Sequence, residues 1–262
     1  SGSVNLYVDG LSAYRNQHDG AAFLITTSGT GAPIMANLMA VSTCGNFEDG
    51  LDLEAYSYGD DSPISLVLNG IEANENESYG IDYAYAETSG ENSPAYVGLF
   101  NVVANGNDDS GVYAVIYTDA LNSDAELEMQ GIQANDSLDN YGIYAYLESS
   151  FGGAMASLSD AVACGNYYEN ISLEVSAYGV GAPALATFTN VQANNSSDYE
   201  GIYTSIYSDD GPASLSFTNV EASNNYEQGI YAEVEAYGVD HDVLVNIDNA
   251  MCHDNKWDYG IY

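Results

Sequence analysis

A short motif, glycine followed by an apolar residue and often by tyrosine, returns along the whole chain at nearly constant spacing. It reads Gly142-Ile143-Tyr144, Gly201-Ile202-Tyr203, Gly229-Ile230-Tyr231 and Gly260-Ile261-Tyr262. Gly20-Ala21, Gly50-Leu51, Gly80-Ile81 and Gly111-Val112 are related forms, and Asn170-Ile171 fills the one remaining slot. Adjacent slots lie 28 to 31 residues apart, and the eight steps from Gly20 to Gly260 span 240 residues, a mean of 30. A repeat of this length cannot bury an apolar face alone and must stack on its neighbours. The expectation is therefore a single repeat domain over residues 1–262.

Within each repeat the apolar residues alternate with period two, as in Val4-Leu6-Val8, Ile64-Leu66-Leu68, Ala213-Leu215-Phe217 and Val243-Val245-Ile247. This is the period of a strand with one buried face. A second, shorter inward pair follows, for example Val191 and Ala193 or Val220 and Ala222. A third set follows the glycine slot, as in Leu51, Leu53 and Ala55 or Ile230, Ala232 and Val234. No segment shows a helical period, so the reading is all-β, with three short strands per coil and about eight to nine coils.

The turn residues keep the same register. Between the first two strands stand Gly10, Gly70, Asn101, Gly131, Asp160, Asn190, Asn219 and Asn249, residue types that tolerate a left-handed backbone; Ala40 alone departs. All five prolines, Pro33, Pro63, Pro94, Pro183 and Pro212, fall just before the first strand, where a missing N–H does least harm. Asn16, Asn46, Asn76, Asn107, Asn166 and Asn225 sit four residues before the glycine-type slot and are expected to stack as a hydrogen-bonded ladder.

With these features the whole chain resembles the right-handed parallel β-helix, or pectin-lyase-like, superfamily. The resemblance implies a single right-handed parallel β-helix. It implies no particular activity, because that superfamily holds polysaccharide lyases and hydrolases, adhesins, phage tailspikes and surface proteins with no known reaction. Its lyases pair an Arg or Lys base with carboxylate-bound calcium. Here Arg15 lies in the first coil and Lys256 in the last, roughly 38 Å apart at about 4.8 Å per coil. Its hydrolases carry clustered aspartates near a His-Gly and an Arg-x-Lys, and this sequence has neither pattern. The acidic pairs Asp60-Asp61, Asp108-Asp109 and Asp209-Asp210 read as solvated loops. His18, His241 and His253 form no constellation with a Cys, a Ser or a second His. The expectation is that the chain has no catalytic residues and is not an enzyme.

Charge excludes other classes. Two Lys plus Arg stand against 39 Asp plus Glu, a net charge of −37, so the cations needed by nucleic acid or an anionic membrane surface are missing. Cys44, Cys164 and Cys252 are too few and too far apart for a disulfide scaffold, and no run of about 18 apolar residues suggests membrane insertion. Acidic residues recur before the glycine slot at Asp19, Asp49, Asp108, Asp109, Asp139, Asp198 and Asp258. Such a stripe either is solvated surface or collects calcium, with Asp49, Asp108, Asp109 and Asp139 as candidates. No other cofactor is expected. Five Asn-x-Ser sequons, at Asn76, Asn135, Asn170, Asn194 and Asn195, would permit glycosylation.

The most regular outward feature is tyrosine. Tyr113, Tyr144, Tyr203, Tyr231 and Tyr262 occupy the second position after the slot, and Tyr117 and Tyr207 the sixth. Such a face packs its rings on one another, on another subunit, or on sugars. No capping helix is evident at either end, and the first and last coils share one pattern. These features lead to the expectation of an extracellular or cell-surface structural β-helix associating end to end, as a fibre subunit or an adhesin or surface-layer segment. The alternatives are a carbohydrate-binding or polysaccharide-degrading β-helix, calcium-dependent or not, and a tailspike-like trimer.

Overall fold

A computed structural model describes residues 2–238, 242–256 and 259–262. In chain order the strands are β1 (Val4–Asp9), β2 (Ser12–Tyr14), β3 (Ala21–Thr27), β4 (Ile34–Cys44), β5 (Leu51–Ser57), β6 (Ile64–Glu72), β7 (Ile81–Thr88), β8 (Ala95–Val103) and β9 (Val112–Thr118). They continue as β10 (Ala125–Gln133), β11 (Ile143–Ser149), β12 (Ala154–Val162), β13 (Ile171–Ala177), β14 (Ala184–Gln192), β15 (Ile202–Ser208), β16 (Ala213–Glu221), β17 (Ile230–Ala236) and β18 (Val243–Met251). Among the described residues there is no helix. From β3 on, even strands form one sheet and odd strands the other; β1 and β2 belong with the even strands. Every pairing is parallel to the strand one coil away, as in Ala184↔Ala213 and Ile202↔Ile230. The chain is a right-handed parallel β-solenoid.

The structure differs from the sequence reading in one detail of strand count. In the first coil the first two segments are the separate strands β1 and β2, but in every later coil they run on as one bent strand. The bend is the left-handed slot. Gly70, Asn101, Gly131, Asp160, Asn190, Asn219 and Asn249 all have φ between 51° and 69°, and the backbone turns there without leaving the ladder. Ala40 keeps the conformation at φ 50°, although its Cβ makes that region unfavourable by about 1 kcal/mol. Ala40→Gly should therefore raise the melting temperature by about 2 °C, read in a thermal denaturation scan.

Inward positions close a narrow core between the sheets. Leu51, Leu53, Leu66, Leu68 and Leu99 are fully buried, interleaved with Ala55, Ala84, Ala86 and Ala114, and Phe188 lies 4.9 Å from Phe217. Small residues facing large ones let the sheets interdigitate at native density. The prolines donate nothing but still accept: Ile34 N bonds Pro63 O at 2.9 Å and Ala154 N bonds Pro183 O at 2.9 Å.

The corner before the odd-numbered sheet is held by amides. Asn46 N and Nδ2 both donate to Asn76 Oδ1, at 3.0 and 2.9 Å, and Asn76 N and Nδ2 both donate to Asn107 Oδ1 at 3.0 Å. At the first coil, Asn16 Nδ2 donates to Asn46 Oδ1 at 2.9 Å. Serine stands in the equivalent places at 137 and 196, where it cannot span a coil. Asn170 makes up the second deficit: its Oδ1 accepts from Asn166 Nδ2 at 2.8 Å and its Nδ2 donates to Asn225 Oδ1 at 3.1 Å. The neighbouring glycine slot owes its residue type to this corner. A Cβ on Gly50 would stand 2.5 Å from the Gly80 carbonyl oxygen and 2.7 Å from Asn76 Nδ2.

Candidate functional site

The outer face of the odd-numbered sheet is built from the residues that alternate with its core positions, so register places them in columns one coil apart. In the first column Tyr113 and Tyr144 stack at 4.8 Å and 15°, Tyr203 and Tyr231 at 5.6 Å and 13°, and Tyr231 and Tyr262 at 5.0 Å and 13°. Ser172 on β13 separates the two stacks and is itself 3 % exposed. Because the rings cover one another's faces, this column offers solvent its edges and hydroxyls.

Tyr117 and Tyr207 stand in a third column and belong to a pattern that the sequence reading missed. On β5 the order is Glu54 then Tyr56, whereas on β7 it is Tyr85 then Glu87, and the pairing sets Glu54 beside Tyr85 and Tyr56 beside Glu87. Tyr117 on β9 lies between Glu87 on β7 and Glu148 on β11. In the third column phenol and carboxylate therefore alternate from β5 to β11, as Tyr56, Glu87, Tyr117 and Glu148, and on β5, β7 and β11 a phenol and a carboxylate also neighbour each other along the strand. Tyr85 donates to Glu87 at 2.6 Å and Tyr231 to Glu233 at 2.6 Å, while Tyr56 donates to Glu54 and Tyr146 to Glu148. The alternation keeps like charges from standing directly opposite each other, which destabilises parallel stacks. Burial, then these hydrogen bonds to carboxylates, raise the Tyr56, Tyr85 and Tyr146 phenols well above their usual range.

This pattern depends on a bulge. Tyr83, at φ 48°, is the extra residue between Asp82 and Ala84, and it shifts the rest of β7 by one relative to β5. The spacing of Ile81, Ala84 and Ala86, three and then two, is its trace in the sequence.

Two carboxyl clusters lie along the same sheet edge. In the first, Asp52 and Asp82 are in register on β5 and β7, next to the loop residues Asp19 and Asp49. Asp49 N donates to Asp19 Oδ1 at 3.2 Å and Tyr79 N to Asp49 Oδ1 at 3.0 Å. Asp82 is 9 % exposed; burial first, then Asp49 and Asp52, push its carboxyl up to about 8. Burial and then Glu54, Asp19 and Asp49 push Asp52 up to about 7. In the second cluster Glu200 is 7 % exposed and pushed up to about 7, by burial and then by Glu169 and Glu227, with a side-chain hydrogen bond to Glu227. Burial also raises Glu169 and Glu174. Each cluster thus holds a carboxyl that retains its proton near neutrality among other carboxylates, the arrangement that acid–base chemistry requires.

The remaining predicted residues are dispersed. Asp109 Oδ1 accepts from Ser110 N at 2.8 Å and from Asn140 Nδ2 at 2.7 Å, and the backbone N–H groups of Asp108 and Asp139 bond Asn76 O and Asp108 O. Asp49 belongs to the first carboxyl cluster, one corner away. Among the described residues no group of three or more His, Cys, Asp or Glu side chains is placed to hold a metal ion. His18 pairs with Glu48 at 3.1 Å and His253 with Asp254 at 3.0 Å, whereas His241 and Asp258 lie outside the described residues. Lys256 Nζ sits 4.5 Å from the Tyr226 ring centre. Cys44, Cys164 and Cys252 are free thiols, and burial raises Cys252 to about 11. No described helix is long and apolar enough to cross a membrane.

No protein-family model and no curated protein matches the chain. Among solved structures it is similar to the catalytic domain of a GH87 alpha-1,3-glucanase in complex with nigerose, at 12 % identity and a TM-score of 0.26, covering 97 % of this chain and 64 % of that one. The D1069A form of that domain in complex with tetrasaccharides matches at 11 % identity and a TM-score of 0.22, covering 98 % and 61 %. The chain thus spans about 64 % of the length of the first of these, and a likeness this distant transfers no residue and no reaction. It does correct one expectation: the chains matched are catalytic domains, so the reading that this chain is not an enzyme is withdrawn. What stands from its own topology is a right-handed parallel β-helix, the architecture on which the pectin-lyase-like superfamily is built.

Proposed function

We propose that the chain is a carbohydrate-active β-helix protein that holds a neutral polysaccharide along the outer face of its odd-numbered sheet. The observation that carries this reading is the alternation of phenol and carboxylate, which surrounds a shallow open groove lined by Tyr85, Glu87, Tyr117, Asp119 and Glu148. Carboxylates accept hydrogen bonds from pairs of adjacent sugar hydroxyls, and phenol edges pack against sugar C–H groups. Charge selects the class of polymer, since 39 acidic residues against two cations repel uronates and sulfated glycans. The Asp52–Asp82 and Glu200–Glu227 clusters stand at the opposite edge of the same sheet, at least four residues or about 13 Å back along the strands, where a retained proton and a neighbouring carboxylate would serve cleavage of a chain that reaches across the face. An extracellular location accords with such a substrate.

Affinity electrophoresis through gels containing a soluble neutral glucan or a polyuronate tests the reading, with reducing ends assayed in parallel. The neutral glucan should retard the protein and the polyuronate should not, and Glu87→Gln with Glu148→Gln should weaken retardation at least tenfold, about 1.4 kcal/mol or more. Equal retardation by both polymers, or none by any neutral glycan, would overturn it. Filaments in electron micrographs together with no retardation would assign the tyrosine face to contacts between copies instead.

A further inference from the structure

Tyrosines on and beside the first part of the odd-numbered sheet form one connected path. From Tyr58 it runs through Tyr85, Tyr113 and Tyr144 to Tyr199, nine rings in all, with no step between ring centres above 6.4 Å. Near its middle lie Tyr113 and Tyr144, whose 4.8 Å separation is the shortest on the path and whose planes differ by 15°. They are exact register partners on β9 and β11, so backbone hydrogen bonds hold the rings in place. Glu174, one coil on, lies close enough to act on the Tyr144 phenol and offers its proton a carboxylate acceptor.

We propose that Tyr113 and Tyr144 are an oxidative cross-linking site, coupled to a dityrosine by a haem peroxidase with hydrogen peroxide or a one-electron oxidant of similar strength. Each phenol loses one electron and one proton, the Tyr144 proton passing to Glu174 and the Tyr113 proton to water. The two radicals join through their ortho carbons, and as the rings regain aromaticity each ortho carbon loses its hydrogen as a proton while each oxygen takes one up, restoring the phenols. In sum, two phenols and one peroxide give one biphenol and two waters. A radical first formed at another ring on the path is passed by electron transfer to this pair, where coupling removes it. The product bolts two adjacent coils together across 31 residues of sequence.

The test is peroxidase and peroxide treatment of the full chain at low concentration, which suppresses coupling between molecules, followed by glutamyl endopeptidase digestion and tandem mass spectrometry. The principal cross-link, two hydrogens lighter than its parent peptides, should join Tyr113 to Tyr144. Tyr113→Phe should remove it, and Tyr7→Phe should leave its yield unchanged. Exposure alone would predict a different outcome, because Tyr7, Tyr262 and Tyr14 are 64 %, 61 % and 55 % exposed. Cross-links concentrated at those residues, cross-links only between molecules, or an undiminished yield in Tyr113→Phe would overturn the proposal.

Discussion

Replacing Asn76 with leucine is expected to lower the stability of the protein by about 3 kcal/mol and its melting temperature by ~9 °C. Asn76 is 1 % exposed, and its Oδ1 accepts from both Asn46 N and Asn46 Nδ2, which are buried with it. Leucine fills a similar volume but leaves Asn46 N without a partner and Asn46 Nδ2 with only its long bond to Ala13 O at 3.5 Å, in a corner that water does not reach. Each orphaned donor costs about 1–3 kcal/mol, more than the original bonds contribute net, because the unfolded chain loses nothing. Stability in a solenoid is a sum over coils and their nearest-neighbour contacts, so the damage should be local. Hydrogen exchange should therefore show amides of the coils around Asn46, Asn76 and Asn107 losing protection, with those around Asn225 unaffected. An Asn76→Leu protein melting within 2 °C of the parent, roughly 1 kcal/mol or less, would show that the amide column contributes no stability.

The fold was legible because the constraints that set it act within one coil and recur. The left-handed slot selects Gly, Asn or Asp in eight of nine coils, and the strand entry selects proline in five; each is a backbone requirement that one residue reveals. Ala40 shows the limit of that logic, since neighbouring coils hold it at φ 50° against its own preference. The joining of the first two segments was not legible, because a left-handed residue reads as a turn although here the ladder continues through it. Nor was the role of Asn170, which fills a glycine slot in sequence while its side chain completes the amide column opposite Ser196.

The site was hidden for a different reason: its members come from positions that never adjoin in sequence. Asp49 precedes a glycine slot and Asp82 follows the next one, yet the winding of the coil brings them within hydrogen-bonding range. Aligning the repeats in columns would have brought Asp19, Asp49, Asp52 and Asp82 together. The bulge at Tyr83 would still have misplaced every residue after it on β7 by one, turning alternating phenols and carboxylates into apparent disorder. Regularity thus reveals a solenoid, and the departures from regularity locate what it can do.

Between pH 6 and pH 9 the protein should lose about 3 kcal/mol of stability, a fall of ~8 °C in melting temperature. Asp82 is pushed up to about 8, and Asp52 and Glu200 up to about 7, in each case first by burial and then by neighbouring carboxylates. In the unfolded chain these groups return to about 4. The folded state therefore binds more protons than the unfolded state wherever the pH lies between those values, and stability falls as pH rises across that window. Below about pH 4 the three are protonated in both states and cost nothing; above about pH 8 the full penalty is present. The magnitude is well under the sum of the three displacements, because water still reaches Asp52 and the clustered carboxyls titrate together. The upper part of the window isolates them: ordinary surface carboxylates are already ionised at pH 6, and the raised tyrosines keep their protons at pH 9. Melting curves at pH 6 and pH 9 measure the effect, and Asp52→Asn with Asp82→Asn and Glu200→Gln should flatten it while raising the melting temperature at pH 9. A parent protein equally stable at both values, or more stable at pH 9, would mean that these carboxyls ionise as freely in the folded chain as in the unfolded one, and would remove the acid–base capacity assigned to the site.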